Sequence, residues 1–246
     1  MLLTKPALPT DAPILASIYL ECFNSPTERH LWPDVPRMHE WWTTTFAGKL
    51  AQPDKFHTLK VVDTEKGDAI VGFLEWKLPA PVSTGEGEGA EEEEDEYPPY
   101  PEEVGGLDLW NQLLVEMGSK TVQVMGSRRF YFLNILGTKP EYRRRGVASD
   151  MIKWGVDRAD EEGLEAFVIS APMARPVYLK HGFELVLEGE DLGGEHGTFV
   201  PGYMLRKPRK VVPEKAAWGG YATWLVVPVV LGVGAVLVQR LGKRFL

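Results

Sequence analysis

Phe130-Tyr131-Phe132-Leu133-Asn134-Ile135-Leu136-Gly137-Thr138, followed at once by Lys139-Pro140-Glu141-Tyr142-Arg143-Arg144-Arg145-Gly146-Val147-Ala148-Ser149, is the stretch that decides how this chain folds. Its first nine residues are aromatic and branched, as a buried strand requires. From Val147 to about Glu161, the residues Val147, Met151, Trp154, Val156 and Ala159 recur near helical spacing. A basic, glycine-containing turn therefore joins the end of a strand to the start of a helix. Unpaired backbone N–H groups gather at such a corner, at the positive end of the helix dipole and beside cations that cannot be neutralised. The corner suits a phosphate-bearing ligand.

Three arginines on a turn are also what a solvated basic patch looks like, and short glycine motifs are weak signals alone. Spacing narrows the choice. There is no Gly-Lys-Ser/Thr ending of a P-loop and no Gly-x-Gly-x-x-Gly dinucleotide fingerprint. Arg143-x-x-Gly146-x-Ala148 has the Arg-x-x-Gly-x-Ala form of the pyrophosphate turn of the GNAT superfamily of acyl-CoA N-acyltransferases, which this part of the chain resembles. The resemblance extends from roughly Arg129 to Leu205. Leu136 to Tyr142 is similar to the end of the family's fourth strand, and Ala166 to Ser170 reads as the next parallel strand. Ala174 to Lys180 reads as a short helix, and Tyr178-Leu179-Lys180-His181-Gly182-Phe183 is similar to the family's Tyr-x-x-x-Gly-Phe element.

The resemblance implies an α/β GNAT fold: a mixed, strongly twisted central sheet flanked by helices, with two parallel strands splaying to form the acyl-CoA cleft. It implies acetyl-CoA as co-substrate and an amine as acceptor, a small molecule ahead of a peptide. Leu136, Gly137 and Thr138, with Arg143, Arg144, Arg145, Gly146, Val147, Ala148 and Ser149, become the cofactor-binding set. Backbone amides from Arg144 through Ser149 would do most of the cradling, and N–H groups near Leu136 would face the acyl oxygen. Gly146 lets backbone approach the pyrophosphate. Tyr178 matches the family's tyrosine acid, and a phenol of pKa about 10 suits a leaving thiolate of similar basicity. A general base is harder to find. Asn134 stands where a carboxylate would serve and cannot act as one. Glu75, in the strand-like run Ile70 to Trp76, is the candidate catalytic carboxylate, sharing a face with Phe73 by alternation; the plainer reading of it is a solvated edge residue. The competing functional class is a non-catalytic, membrane-tethered module of the same fold, acting as a CoA sensor or a scaffold.

With 246 residues the chain can bury one substantial core. One cysteine, Cys22, excludes an internal disulfide, and its apolar helical neighbours give it a core role. His30, His39, His57, His181 and His196 lack metal-ligand spacing, so no metal is expected. No nucleic-acid module or repeat is evident, and oligomeric state is not legible. N-terminally, a helix capped at Thr10 or Asp11 runs to about Phe23, and a second covers Pro36 to Leu50. Trp32, His39, Trp41 and Trp42 lie where acceptor pockets form in the resembled family, although aromatics at helical spacing are more often core. Phe56–Val62 and Ala69–Leu78 read as a hairpin, and Leu107 to Met117 as a helix. Gly155 reads as a weak point in its helix.

Residues 79–103 form an acidic insertion, expected to be disordered; its ten acids, unaccompanied by Lys or Arg, turn a remainder of +2 into the net charge of −8. The transferase domain should therefore be 1–208, followed by a polar linker, 209–217. Residues 218–238 carry no charge and would span roughly 31 Å as a helix, close to a bilayer's hydrocarbon core. Trp218, Tyr221 and Trp224 cluster at one end, and a basic tail, 239–246, follows the other. This arrangement reads as a single-pass C-terminal membrane anchor with the catalytic domain in the cytosol.

Overall fold

The computed structural model describes residues 1–80 and 97–209. Most of the acidic insertion, the linker beyond Arg209, the uncharged run 218–238 and the basic tail lie outside the described residues. Chain order is β1 (Leu2–Pro6), α1 (Ala12–Cys22), α2 (Pro26–Leu31), α3 (Pro36–Leu50), β2 (Phe56–Asp63), β3 (Ala69–Lys77), α4 (Leu107–Met125), β4 (Phe130–Thr138), α5 (Val147–Glu162), β5 (Glu165–Ser170), α6 (Arg175–Lys180), β6 (Glu184–Glu188) and β7 (Gly202–Arg206). Seven strands make one mixed sheet in the order β1-β2-β3-β4-β5-β7-β6. All neighbours are antiparallel except β4 and β5. The α/β architecture with flanking helices is the one expected.

Each face of the sheet is covered by helices. On one face α1 and α3 bury Leu15, Ile18, Trp42 and Phe46 against Val62, Ile70, Phe73 and Ile135. On the other, α5 buries Val147, Met151, Ile152 and Val156 against Val71, Leu74, Trp76, Leu133 and Val168. Gly155, read from sequence as a helical weakness, has a packing role: a Cβ there would stand 2.1 Å from the Trp76 ring, so its absence lets α5 lie on the sheet. The Trp76 indole N–H donates to the Met151 carbonyl across this contact, 3.3 Å away. A bidentate pair from Arg206 to Asp160, at 2.8 and 2.7 Å, ties β7 to the last turn of α5.

Several local expectations are refined. The connection after α1 contains a helix of its own, α2, opened by Ser25 and Glu28 capping each other's backbone amides at 3.3 and 2.9 Å. The helix predicted to end at Met117 continues to Met125. Asp11 occupies the N-cap of α1 without bonding its first turn; its carboxylate takes the Leu8 amide at 2.7 Å and Lys60 at 2.5 Å. Tyr97 to Glu103, assigned to the insertion by its acids, pack on the domain. The Trp41 indole N–H donates to the Pro98 and Pro99 carbonyls at 3.0 Å, and the Tyr100 hydroxyl donates to the Gly105 carbonyl at 2.8 Å. Proline and tyrosine, which bury apolar area without adding charge, hold the end of an otherwise acidic segment. Among the described residues no helix is long and apolar enough to cross a membrane.

Candidate active site

A break in sheet pairing creates the site. β4 and β5 are register partners only from Phe130 opposite Glu165 to Leu133 opposite Val168. Beyond that point β4 runs on to Thr138 alongside β3 alone, and Ile169 and Ser170 of β5 pair only with β7. Two parallel neighbours therefore separate into a wedge. Its apex coincides with a bulge in β4: Glu75 faces Ile135 while Trp76 faces Leu133, leaving Asn134 as the inserted residue. The bulge reverses side-chain phase. Before it, Tyr131 and Leu133 pack on the α5 face; after it, Ile135 packs on the opposite face and Leu136 turns toward α5.

Which backbone groups look into the wedge follows from one bond. The Lys139 amide donates to the Val71 carbonyl at 3.0 Å, so residue 139 points its backbone at β3. By the period of two, Gly137 does the same, and Leu136 and Thr138 point theirs away from β3, into the wedge. The Thr138 carbonyl confirms this direction, accepting from Cys22 Sγ at 3.2 Å and Arg143 Nε at 3.3 Å, neither of which belongs to β3. Gly137, expected among the cofactor-binding residues, is thus turned the other way and serves packing: a Cβ on it would meet Phe73 Cε1 at 2.9 Å. Cys22 is half-buried; desolvation pushes its thiol up, partly offset by the neighbouring Arg143.

The basic corner follows β4 directly. Tyr142 is buried, with its hydroxyl on Asp63 at 2.9 Å, which pins the turn to the end of β2. Arg145 lies over the Tyr142 ring, 5.1 Å from its centroid. Arg144 adopts φ 61°, left-handed backbone that a non-glycine residue rarely takes, and Gly146 adopts φ 86°. A Cβ on Gly146 would meet no protein atom within 4 Å, so the space above it is open. α5 starts at Val147 with no side-chain cap, and the first intrahelical bond recorded across its start is the Asp150 amide to the Gly146 carbonyl at 3.3 Å. The amides of Val147, Ala148 and Ser149 are left facing outward at the positive end of a 16-residue helix. Arg144 has no hydrogen bond or ion pair among the described residues. An uncapped helix start, an open glycine and the unpartnered Arg144 guanidinium fit a diphosphate.

Tyr178 lies on α6 and is buried in the α5-side cluster with Leu133 and Val168, its ring edge-on to Phe183 at 5.9 Å. Burial holds its phenol well above the usual tyrosine range, so it is protonated at neutral pH. Its hydroxyl has no protein partner among the described residues. Glu75 departs from the solvated-edge reading. It is fully buried, and Oε1 accepts from Lys49 Nζ at 3.1 Å and Asn134 Nδ2 at 2.7 Å. Oε2 has no partner, nor does Thr58 Oγ1 on the residue opposite in register. Lys49 is the residue the sequence reading missed; it recurs on the buried face of α3, but a lysine at an apolar position carries no signal without knowledge of what lies across the sheet. Trp32, Trp41 and Trp42 are core, each at most 5% exposed, and His39 is on the surface with Asp34 at 2.7 Å. Among the described residues no cluster of three His, Cys, Asp or Glu side chains is placed to hold a metal ion.

A search of curated proteins finds no match to the chain. Among solved structures, the C-terminal condensation domain of Ebony, in complex with beta-alanyl-dopamine, is similar with a TM-score of 0.58 at 14% identity, covering 84% of this chain and 99% of that one. A histone acetyltransferase HPA2 and related acetyltransferase from Corynebacterium glutamicum matches at 0.51 and 16% identity, covering 86% and 98%. NAA60 of Arabidopsis thaliana, in complex with a bisubstrate analogue, matches at 0.50 and 15% identity, covering 85% and 99%. These likenesses establish the fold. The sequence profile of the Acetyltransferase (GNAT) family matches residues 13–183, well over half the chain, and with the wedge, the bulged fourth strand and the arginine-glycine corner in place, the chain belongs to the GNAT acetyltransferase family.

Proposed function

We propose that this protein transfers an acetyl group from acetyl-CoA to an amine. The observation that carries the reading is the continuity of wedge and cradle: β4 leaves β5 after Leu133 and, nine residues beyond Thr138, delivers the chain to the uncapped start of α5 at Val147. The diphosphate would rest on the amides of Val147, Ala148 and Ser149 and beside Arg143, Arg144 and Arg145. Acetyl-CoA supplies the acyl group as a thioester. Leu136 N–H, directed into the wedge, is placed to donate to the acyl oxygen as negative charge develops there. Tyr178, kept protonated by burial, is the donor for the leaving sulfur. Glu75 is fully buried, with Oε1 taken by Lys49 and Asn134, so we assign the amine proton to water. We further propose that residues 218–238 anchor the domain in a membrane, supported by twenty-one consecutive residues without charge and the basic tail after them.

The sealed state of Glu75 also favours a second reading, a CoA-binding module without turnover. One experiment separates them. Acetyl-CoA should raise the melting temperature, and free thiol should accumulate with at least one of a panel of small amines, peptide N-termini and lysine side chains. Gly146→Val, which fills the open cradle, should abolish the thermal shift. Tyr178→Phe should keep the shift and lower turnover by about 10²–10⁴-fold. A thermal shift without thiol release on any amine would establish the module; no shift at all would remove both readings.

A further inference from the structure

The wedge has two sides with different chemistry. The phosphate corner opens on the side of α5, where the cluster around Leu133, Val147 and Met151 is apolar. Asn134, half-buried at the apex, turns its side chain to the other side, onto Glu75 beneath α3. Its amide orientation is set by chemistry. Nδ2 stands 2.7 Å from Glu75 Oε1, and a flipped amide would put two oxygens in contact, so the flipped form is excluded. Glu75 cannot move to accommodate it, because the same Oε1 is held by Lys49 Nζ at 3.1 Å inside the core. With Nδ2 committed, Oδ1 is the free end of the amide, and it has no protein partner among the described residues. A fixed hydrogen-bond acceptor therefore stands where β4 leaves β5.

We propose that Asn134 Oδ1 holds the attacking amine through one of its N–H groups, and that Glu75 and Lys49 are positioning residues that fix the Asn134 amide for that purpose. The inference rests on the acetyl-transfer reading above and adds to it the group that orients the acceptor. A neutral primary amine carries two N–H groups and one lone pair. One N–H donates to Oδ1 and the lone pair is thereby aimed into the wedge. The C–N bond forms as the C–S bond breaks, the sulfur takes the Tyr178 proton, the second N–H proton leaves to water, and the Tyr178 phenolate takes a proton back from water. A secondary amine has a single N–H, which would have to be both held and lost. The Asn134 contact thus favours primary amines by one hydrogen bond.

The test takes the primary amine that the full-length protein acetylates fastest and its N-methyl derivative. Asn134→Ala should lower kcat/KM for the primary amine roughly tenfold and leave the N-methyl amine nearly unchanged, so that the selectivity ratio falls by about the same factor. The acetyl-CoA-induced thermal shift should be unaltered. Glu75→Gln, whose side-chain oxygen still accepts from Nδ2, should retain more of the ratio than Glu75→Leu. An unchanged ratio in Asn134→Ala, or loss of the acetyl-CoA shift in that variant, would overturn the assignment while leaving the transferase reading intact. If the unmodified protein acetylates no amine, the transferase reading fails and this assignment fails with it.

Discussion

The buried pair of Lys49 and Glu75 offers the sharpest quantitative test of how this fold is held. Their side chains are 1% and 0% exposed, with Nζ and Oε1 3.1 Å apart. Removing one member of such a pair strands the other charge away from water, which costs about 3–5 kcal/mol. The two single changes should differ. After Glu75→Gln, Lys49 still lies over the Tyr97 and Phe56 rings, 4.6 and 5.2 Å from their centroids. Desolvated contacts of that kind are worth up to about 2 kcal/mol, so the loss falls at the lower end. After Lys49→Met, Glu75 retains only Asn134, and the loss falls at the upper end. At about 2–4 °C per kcal/mol for a domain of this size, the melting point should drop by roughly 6–20 °C. The double variant removes both charges and should cost less than either single change, so the coupling by urea unfolding should be at least about 5 kcal/mol. If the single variants each cost less than about 1 kcal/mol and simply add, the pair behaves as an exposed one and the reasoning fails.

Three further outcomes follow from the same geometry. Arg144→Gly should relieve the left-handed strain at φ 61°, stabilising the free protein by about 1 kcal/mol, yet lessen the thermal shift from acetyl-CoA; a destabilised variant would show the strain to be absent. In alkali, burial keeps the phenols of Tyr19, Tyr131, Tyr178 and Tyr203 above the usual range and Tyr100 up to about 12. Their folded values exceed the unfolded one, so the stability they contribute is complete below about pH 10 and is lost as pH rises beyond it. The phenolate absorbance of these five of the eight tyrosines should therefore appear in step with unfolding above that pH, and its full appearance in the native state would contradict the burial. Finally, the full chain should enter a detergent phase and a chain ending at Arg209 should remain aqueous; aqueous behaviour of both would refute the anchor.

The strand–turn–helix corner was legible because its signal is local. A strand, a basic turn with one glycine and a helix start are written in consecutive residues, and Arg143 through Ser149 stand together in the structure as they do in the chain. The hairpin of β2 and β3 was legible for the same reason, its turn being closed by Gly67 and Asp68 in left-handed backbone. Tyr178 was placed by spacing from Gly182 and Phe183, again a short-range pattern. The acidic insertion was too generously drawn, since composition counts acids and does not reveal that Tyr97 and Tyr100 reach the aromatic core of α3 and α4.

Period and spacing along the chain determined the order of elements, the basic glycine corner that opens α5 and the face shared by Phe73 and Glu75, because each depends on residues within a turn or two of one another. Tertiary structure alone decided that Asn134 is an inserted residue, that Gly137 faces β3 and Leu136 the wedge, that Gly155 makes room for Trp76, and that Glu75 meets Lys49 across 26 positions. These are set by which strand and which helix become neighbours. A bulge exists only relative to a partner strand, and a buried charge is tolerable only where a distant residue supplies its counter-ion.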